Sequence, residues 1–420
     1  MLQSVIIGGG IAGCSTAFAL AKRGYCVTLI ERHALIAAEA SGNPVAMLYP
    51  KLSANKSLAN DLMQHGFQFT ISLLETISKN NTFFSACGQL QLAFNAAEHA
   101  KQNRLLNKEY ANNNQWLSQI LNAQQASEIA GIHLTKGGLF LPQAGWVKPA
   151  PFCQALLNLS LIKVITNCQA LTLKKTENGW RVRHKDGFIE ADNVVLCNAN
   201  DIKQFGFCDS AIITPVRGQL DFFAENIVSK NLKTIICSDH YLSPAIDDMH
   251  ALGTTYSPND LNTAVSALDT QSNLAALMAI SPDILQSIDT KSITSRVAFR
   301  SQTIDYRPLA GQLLDEERLR QKPPRYNANS ASLPWLHGLY VNAGHGSKGL
   351  ITAPICGEMI ASLIAKTDLT NDTKLNTKLN IKSETKLEIN LDAKLASSMN
   401  PSRFLLRELG LKQLAASLIV

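Results

Sequence analysis

The chain has 420 residues and no uninterrupted run of eighteen apolar ones, so the sequence predicts no membrane-spanning helix. It has no C-x-x-C pair and no metal-type cysteine or histidine spacing. Its nine cysteines are scattered, which predicts reduced thiols in a cytoplasmic protein and excludes a disulfide scaffold or a zinc centre. The apolar N-terminus lacks the basic start of a secretory signal. Charge is sparse at 17%, and the formal net charge of +6 permits an anionic partner such as RNA without requiring one. Apolar residues make up 46%, ordinary for a globular chain, and the length suggests two or three domains or one domain with an insertion.

What is present begins with "SVIIGGGIAGCSTAFALAKRGYCVTLIER", which reads strand, helix, strand. Gly8, Gly10 and Gly13 form G-x-G-x-x-G at the strand-to-helix turn. The first allows the tight turn, the second lets backbone approach a pyrophosphate, and the third lets helix and strand pack closely. The helix N-terminus favours phosphate. Glu31 ends the second strand, where a carboxylate accepts hydrogen bonds from a ribose. This is a dinucleotide site, although the fingerprint alone does not separate NAD from FAD. In the next segment, "EASGNPVAMLYPKLS", Ser41, Gly42 and Asn43 are candidate pyrophosphate donors. Val45, Ala46 and Met47 would let a flat ring lie against the main chain.

Further along, helices are expected over 61–80, 96–110 and 351–365, strands at 87–95 and 339–343, and a β-meander at 170–199 with turns near Asn178-Gly179 and Asp186-Gly187. The segment 366–398 is lysine-rich, without glycine or aromatics, and reads as a low-complexity linker or loose helix. Residues 399–420 read as an amphipathic C-terminal helix.

The segments "ASGNPVAMLYPKLS", "CGQLQLAF", "AGWVKPAPFCQAL", "TPVRGQL", "YLSPAIDDMHALGTTY", "RVAFRSQTIDYRPLAG", "LYVNAGHGSKGLITAP" and "MNPSRFLLRELG" together resemble the glycine oxidase/D-amino acid oxidase class of flavoproteins. Within that class they look most like the FAD-dependent oxidoreductase half of the bifunctional tRNA 5-methylaminomethyl-2-thiouridine biosynthesis family. The resemblance spans nearly all of 1–365 and a short piece of the tail. It implies an α/β fold: an FAD-binding Rossmann-type domain with an inserted antiparallel-sheet substrate domain. The FAD domain would gather 1–85, 145–212 and 296–365, and the substrate domain 86–144 and 213–295. No methyltransferase half is recognised ahead of the first strand, which suggests no use of S-adenosylmethionine and a separate methyltransferase as a candidate partner. Ala199 stands where the family usually has glycine.

The chemistry the resemblance implies is oxidation of the carboxymethylaminomethyl group of wobble uridine in tRNA, giving aminomethyl-uridine and glyoxylate. Oxygen is the expected electron acceptor. Arg300 matches the position of a carboxylate-binding arginine in glycine oxidases and is either that ligand or structural, with Arg296 and Arg307 as neighbours suited to structural ion pairs. Tyr256 and Tyr241 either orient substrate or pack with satisfied hydroxyls, and Trp146 reads as core. No cysteine lies between Cys237 and Cys356, so FAD is expected to be noncovalent. Candidate tRNA contacts are Arg318, Arg320, Lys322, Arg325, Arg403, Arg407 and Lys412, although charge runs of this kind are more often solvated faces. Two other functions stay open: a small-molecule amine oxidase acting on glycine, sarcosine or D-amino acids, and a non-catalytic flavoprotein partner of a methyltransferase.

A second G-x-G-x-x-G, Gly344-His345-Gly346-Ser347-Lys348-Gly349, lacks the following strand that a second Rossmann unit needs. It is expected to grip the other end of the same FAD, with the N–H groups of Ser347–Gly349 facing the flavin's pyrimidine edge. Lys348 either adds charge there or points outward.

Overall fold

The computed structural model describes residues 2–53, 55, 57–78, 83–105, 120–371 and 393–418. The strand Gln3–Ile7 sits at the centre of a six-stranded sheet. It pairs in parallel with Cys26–Ile30 on one side and Asn193–Leu196 on the other, Val5 facing both Thr28 and Val194. Ile162–Ile165 extends one edge and Trp335–Ala343 the other, both parallel; Leu309–Leu314 closes that edge antiparallel. Both faces are covered, so the central strands are almost wholly buried and read as short continuous apolar runs rather than alternating ones.

One face carries the helix Ile11–Lys22 and the long helix Gly349–Asn371. The latter is longer than the expected 351–365. The span 346–368, which starts in the turn before this helix, is long and apolar enough by composition to cross a membrane, but 78% of its most apolar window is buried within the protein. Close packing explains that burial. A Cβ at Gly357 would come 2.9 Å from the Thr16 amide nitrogen, and one at Gly66, on the helix Leu58–Ile77, 2.6 Å from the Ile351 carbonyl oxygen. Asp368 lies on this helix and accepts the Tyr25 hydroxyl at 2.7 Å, so the second glycine motif leads into a core helix and not a second Rossmann unit.

A second, nine-stranded sheet is built around Ile213–Ala224, which pairs antiparallel with Met249–Gly253. The strand Thr294–Thr303 pairs with it along ten residues, from Ile213↔Thr303 to Phe222↔Thr294. This displaces the expected boundary at 296, because that ladder commits the strand to the second sheet. The meander is the separate sheet Thr172–Thr176, Gly179–His184 and Gly187–Ala191, with its turns at the expected places. It is pinned to the first sheet by the Trp180 indole N–H, which donates to the His337 carbonyl at 2.9 Å.

The tail differs from expectation. Residues 366–371 continue the long helix, 372–392 lie outside the described residues, and Ala393–Met399 is a helix that buries Leu395 and Met399 in the main core. The single C-terminal helix expected over 399–420 is replaced by Arg403–Glu408 and Lys412–Ala416, with 419–420 outside the described residues. Apolar contacts drive this, since Leu405, Leu406, Leu411 and Leu414 form a small core with Leu314 and Leu319.

Candidate active site

A cavity of about 1110 Å3 opens at the carboxyl ends of the parallel strands and is walled on its other side by the second sheet. This is where open α/β sheets bind ligands. Gly8, Gly10, Glu31, Ser41, Asn43, Ala46 and Met47 line it, as do Gly344, Gly346, Ser347, Lys348 and Gly349. Gly13 and Gly42 are not on its wall. A Cβ at Gly13 would fall 1.9 Å from the Gly8 carbonyl oxygen, so its role is helix–strand approach. A Cβ at Gly42 would meet the Ala37 carbonyl oxygen at 2.4 Å, which makes Gly42 a packing position rather than the expected pyrophosphate contact.

The first motif has the geometry its sequence implies. Gly8 has φ +109°, and a Cβ there would lie 2.6 Å from the Cys197 carbonyl oxygen. Buried Glu31 accepts the Gly9 N–H at 2.7 Å and the His33 N–H at 2.9 Å, which orders its carboxylate against the glycine turn. Ser41 Oγ accepts the Ile11 N–H at 3.0 Å, placing a hydroxyl at the helix N-terminus. Asn43 Oδ1 and the Ala38 and Glu39 carbonyls are held by the Arg296 guanidinium. Arg296 thus ties this loop to the second sheet, where the sequence suggested an ion pair. Arg307 does form one, with Asp305 at 2.8 Å. Ala199 also lines the cavity, at φ +52°. That left-handed backbone costs a non-glycine residue about 1 kcal/mol.

The opposite part of the wall is cationic and aromatic. Arg300 lies flat over Gly218, where a Cβ would meet Nη1 at 2.5 Å. It donates to the Thr254 hydroxyl and to the Thr255 carbonyl at 3.2 Å. It faces Tyr49, Tyr241 and Tyr256, and among the described residues no carboxylate pairs with it. Burial lowers its pKa, but a guanidinium stays charged. Lys348 turns inward, its Nζ 3.8 Å from the centre of the Tyr49 ring. Burial, with Lys51 nearby, pushes its ammonium down to about 8. Its own N–H is taken by the His345 carbonyl at 3.1 Å, so that amide is not among the donors expected to face the flavin. Tyr256 is 49% exposed at the cavity's mouth, and its hydroxyl accepts from Gln302 Nε2 at 2.6 Å. Its ring therefore borders the site, and its hydroxyl oxygen is held by Gln302.

Among the wall residues not singled out as site residues from sequence are Tyr49, Gly218 and Cys237. Gly218 had a signal, since a glycine inside the strand pattern "TPVRGQL" marks a close approach. Tyr49 and Cys237 had none, because only the folded chain brings them beside Lys348. Trp146, read as core, lies on the strand Gly145–Val147 and packs with Val45 and Leu220.

The expected tRNA cations divide. Arg403 is fully buried against Asp305, because its guanidinium satisfies that carboxylate and several carbonyls at once; it is no surface contact. Arg320 is paired with Glu408 at 2.6 Å. Exposed Lys51 and Arg104 line the cavity rim with no ion pair among the described residues.

These residues fit FAD. The glycine cradle leaves no room for side chains, and Asn198 Oδ1, Ser301 Oγ, Asn342 Oδ1 and His345 Nε2 are buried without a partner among the described residues. All four belong to residues of the cavity wall.

The family described as FAD dependent oxidoreductase matches residues 3–363. The chain is 36% identical over 419 residues to the tRNA 5-methylaminomethyl-2-thiouridine biosynthesis bifunctional protein MnmC of Methylobacillus flagellatus, covering 99% of this chain and 61% of that protein. It is 37% identical over 371 residues to the protein of the same name in Pseudomonas syringae pv. syringae, covering 86% and 55%. It thus spans little more than half the length of these relatives. Glycine oxidase from Bacillus cereus shares the fold with TM-score 0.71 at 20% identity, covering 87% of this chain and 98% of that one. L-proline dehydrogenase from P. horikoshii gives 0.72 at 20%, covering 97% and 98%. With its cradle and cavity in place, this chain belongs to the FAD dependent oxidoreductase family.

Proposed function

We propose that the protein oxidises the carboxymethylaminomethyl group of wobble uridine in tRNA. The glycyl carbon loses a hydride and the amine nitrogen a proton, and hydrolysis of the resulting C=N bond leaves aminomethyl-uridine and glyoxylate. Bound FAD supplies the two-electron acceptor, with oxygen as the expected terminal oxidant.

The observation that carries this reading is the pair of desolvated cations, Arg300 and Lys348, set among tyrosines in one cavity with no protein carboxylate beside either of them among the described residues. A cavity that holds positive charge out of water without a partner of its own is suited to an anionic substrate. Arg300 can take a carboxylate in two parallel hydrogen bonds, and Lys348 adds a point charge braced on Tyr49. Held at its carboxylate, a substituted glycine presents its CH–NH bond at a fixed place, and its larger substituent must leave through the mouth. Exposed Lys51 and Arg104 there suit a phosphate backbone. The identity to the tRNA-modifying relatives over almost the whole chain favours a nucleoside as that substituent.

Nucleoside mass spectrometry of tRNA before and after incubation tests this. Loss of carboxymethylaminomethyl-uridine with matching gain of aminomethyl-uridine is expected. Efficient peroxide release from free glycine or sarcosine with no change in tRNA would assign a small-amine oxidase instead. A flavin that no amine reduces would leave a non-catalytic partner.

A further inference from the structure

Resting on that reading, we infer that Tyr306 is a stacking platform for a nucleobase at the cavity mouth, held in place by the buried Arg403 of the C-terminal segment.

Tyr306 lines the cavity yet is 73% exposed, and its neighbour Ile304 is 62% exposed. Its backbone has φ +59°, a conformation that bulky side chains rarely adopt and that persists only where the surroundings impose it. Those surroundings are unusually complete. The Tyr306 N–H donates to the Thr303 carbonyl at 3.1 Å, and Thr303 Oγ1 donates to the Arg307 carbonyl at 2.6 Å. Arg403 then grips both flanks of Tyr306. It donates to the Asp305 carboxylate at 2.8 and 3.0 Å, to the Arg307 carbonyl at 2.8 Å and to the Pro308 carbonyl at 3.1 Å. Every one of these bonds fixes a turn whose tyrosine ring packs into no core.

The mouth has a second ring. Tyr256 is held by the hydrogen bond from Gln302 and stands 5.9 Å from the Arg300 guanidinium, so it is tied directly to the proposed carboxylate site. Gln302 lies near the end of the strand Thr294–Thr303 and Tyr306 in the turn that follows it, and Tyr256, Gln302 and Tyr306 all line the one cavity. A free amino acid would pass inside and leave these rings wet. A nucleotide whose side arm reaches Arg300 must leave its base, or that of a neighbour, at the mouth. Unstacked loop bases are bound by aromatic faces of this kind. The "NPSRF" segment thereby serves RNA recognition at one remove: its arginine does not touch phosphate but positions the ring.

The test compares wild type with Tyr306→Ala, Tyr306→Phe and Tyr306→Trp on an anticodon stem-loop carrying carboxymethylaminomethyl-uridine and on N-ethylglycine. Y306A should raise KM for the stem-loop by between about fivefold and a hundredfold more than it changes KM for N-ethylglycine, and Y306F should restore it. In Y306W the added tryptophan emission should be quenched by the stem-loop, and Asp305→Asn in that background should weaken the quenching. A stem-loop KM in Y306A within twofold of wild type, or Y306W emission indifferent to RNA, overturns the platform while leaving the proposed function intact. A wild type that does not oxidise the stem-loop overturns both. Quenching that is unaltered by Asp305→Asn overturns the role of Arg403.

Discussion

Arg403 and Asp305 face each other across ninety-eight residues in a two-point ion pair, Nη2 to Oδ1 at 2.8 Å and Nε to Oδ2 at 3.0 Å. Arg403 is fully buried, and Asp305 is 18% exposed. Removing one partner of such a pair strands the other charge, at a cost of about 3–5 kcal/mol. Asp305→Asn should therefore destabilise the protein by roughly that amount at pH 7 in denaturant unfolding. The pH dependence has a definite sign. Burial alone pushes the Asp305 carboxyl up, but the hydrogen bonds and charge of Arg403, with Arg307, override it and hold it well below the usual range. A depressed carboxyl contributes stability above its unfolded value of about 3.9 and loses it as pH falls toward the folded value. The gap between wild type and Asp305→Asn should be constant near neutrality and narrow below about pH 4.

Arg300 is expected to act on substrate and not on flavin. Its guanidinium reaches Thr254 and Thr255 in the second sheet, and nothing in the glycine cradle depends on it. Arg300→Ala removes a charge-assisted contact of about 1.5–3 kcal/mol. The KM for a carboxylated amine should rise by about ten- to a hundredfold, while the visible flavin absorbance of the purified protein is retained. Loss of flavin with an unchanged KM would contradict the assignment.

Much of this was readable from sequence where interactions are local. The turn at Gly8–Gly13, Glu31 at the end of its strand, and the meander turns at Gly179 and Gly187 follow from neighbours within about thirty residues. Failures occurred where a distant partner decides. Thr294–Thr303 reads equally well as a strand of either sheet, and only its ladder with 213–222 commits it to the second. Arg403 looked like a surface cation because its amphipathic segment carries other charges, and nothing local reveals that Asp305 waits for it. Lys348 had two equal readings until Tyr49, three hundred residues earlier, proved to lie against it.

Gly13 should be intolerant of any side chain. The Cβ of Gly13→Ala would sit 1.9 Å from the Gly8 carbonyl oxygen, so the helix Ile11–Lys22 must shift away from the strand that supports it. That shift opens the pyrophosphate cradle. The variant should be isolated with little or no flavin, measured as the ratio of visible to protein absorbance. A full complement of flavin would show that the cradle does not depend on this close approach.

FAD should be removable without breaking a covalent bond. Cys237 is on the cavity wall, and burial pushes its thiol up to about 12, even with Gln89 and Lys348 favouring the thiolate. A thiol at that value is not a nucleophile near neutral pH. Acid precipitation should leave a colourless pellet and a yellow supernatant. Colour that stays with the polypeptide would identify a tether and direct attention to Cys237.

Lys348 supplies the sharpest pH signature. Burial, reinforced by Lys51, holds its ammonium near 8, against about 10.4 in an unfolded chain. Between those values the unfolded chain binds the extra proton, so this residue makes stability rise with pH over that window. Binding runs the other way. Below about pH 8 the ammonium is charged and attracts a substrate carboxylate; as pH rises through 8 the charge is lost and KM should climb. A bound carboxylate favours the charged form, so the limb should sit higher in the enzyme–substrate complex than in the free enzyme. Lys348→Met should raise KM at pH 7 and flatten its dependence above 8, while Arg300, which stays protonated, keeps the remaining affinity constant. If Lys348→Met retains the alkaline limb unchanged, another group titrates there, and Lys348 serves the cavity only by packing on Tyr49.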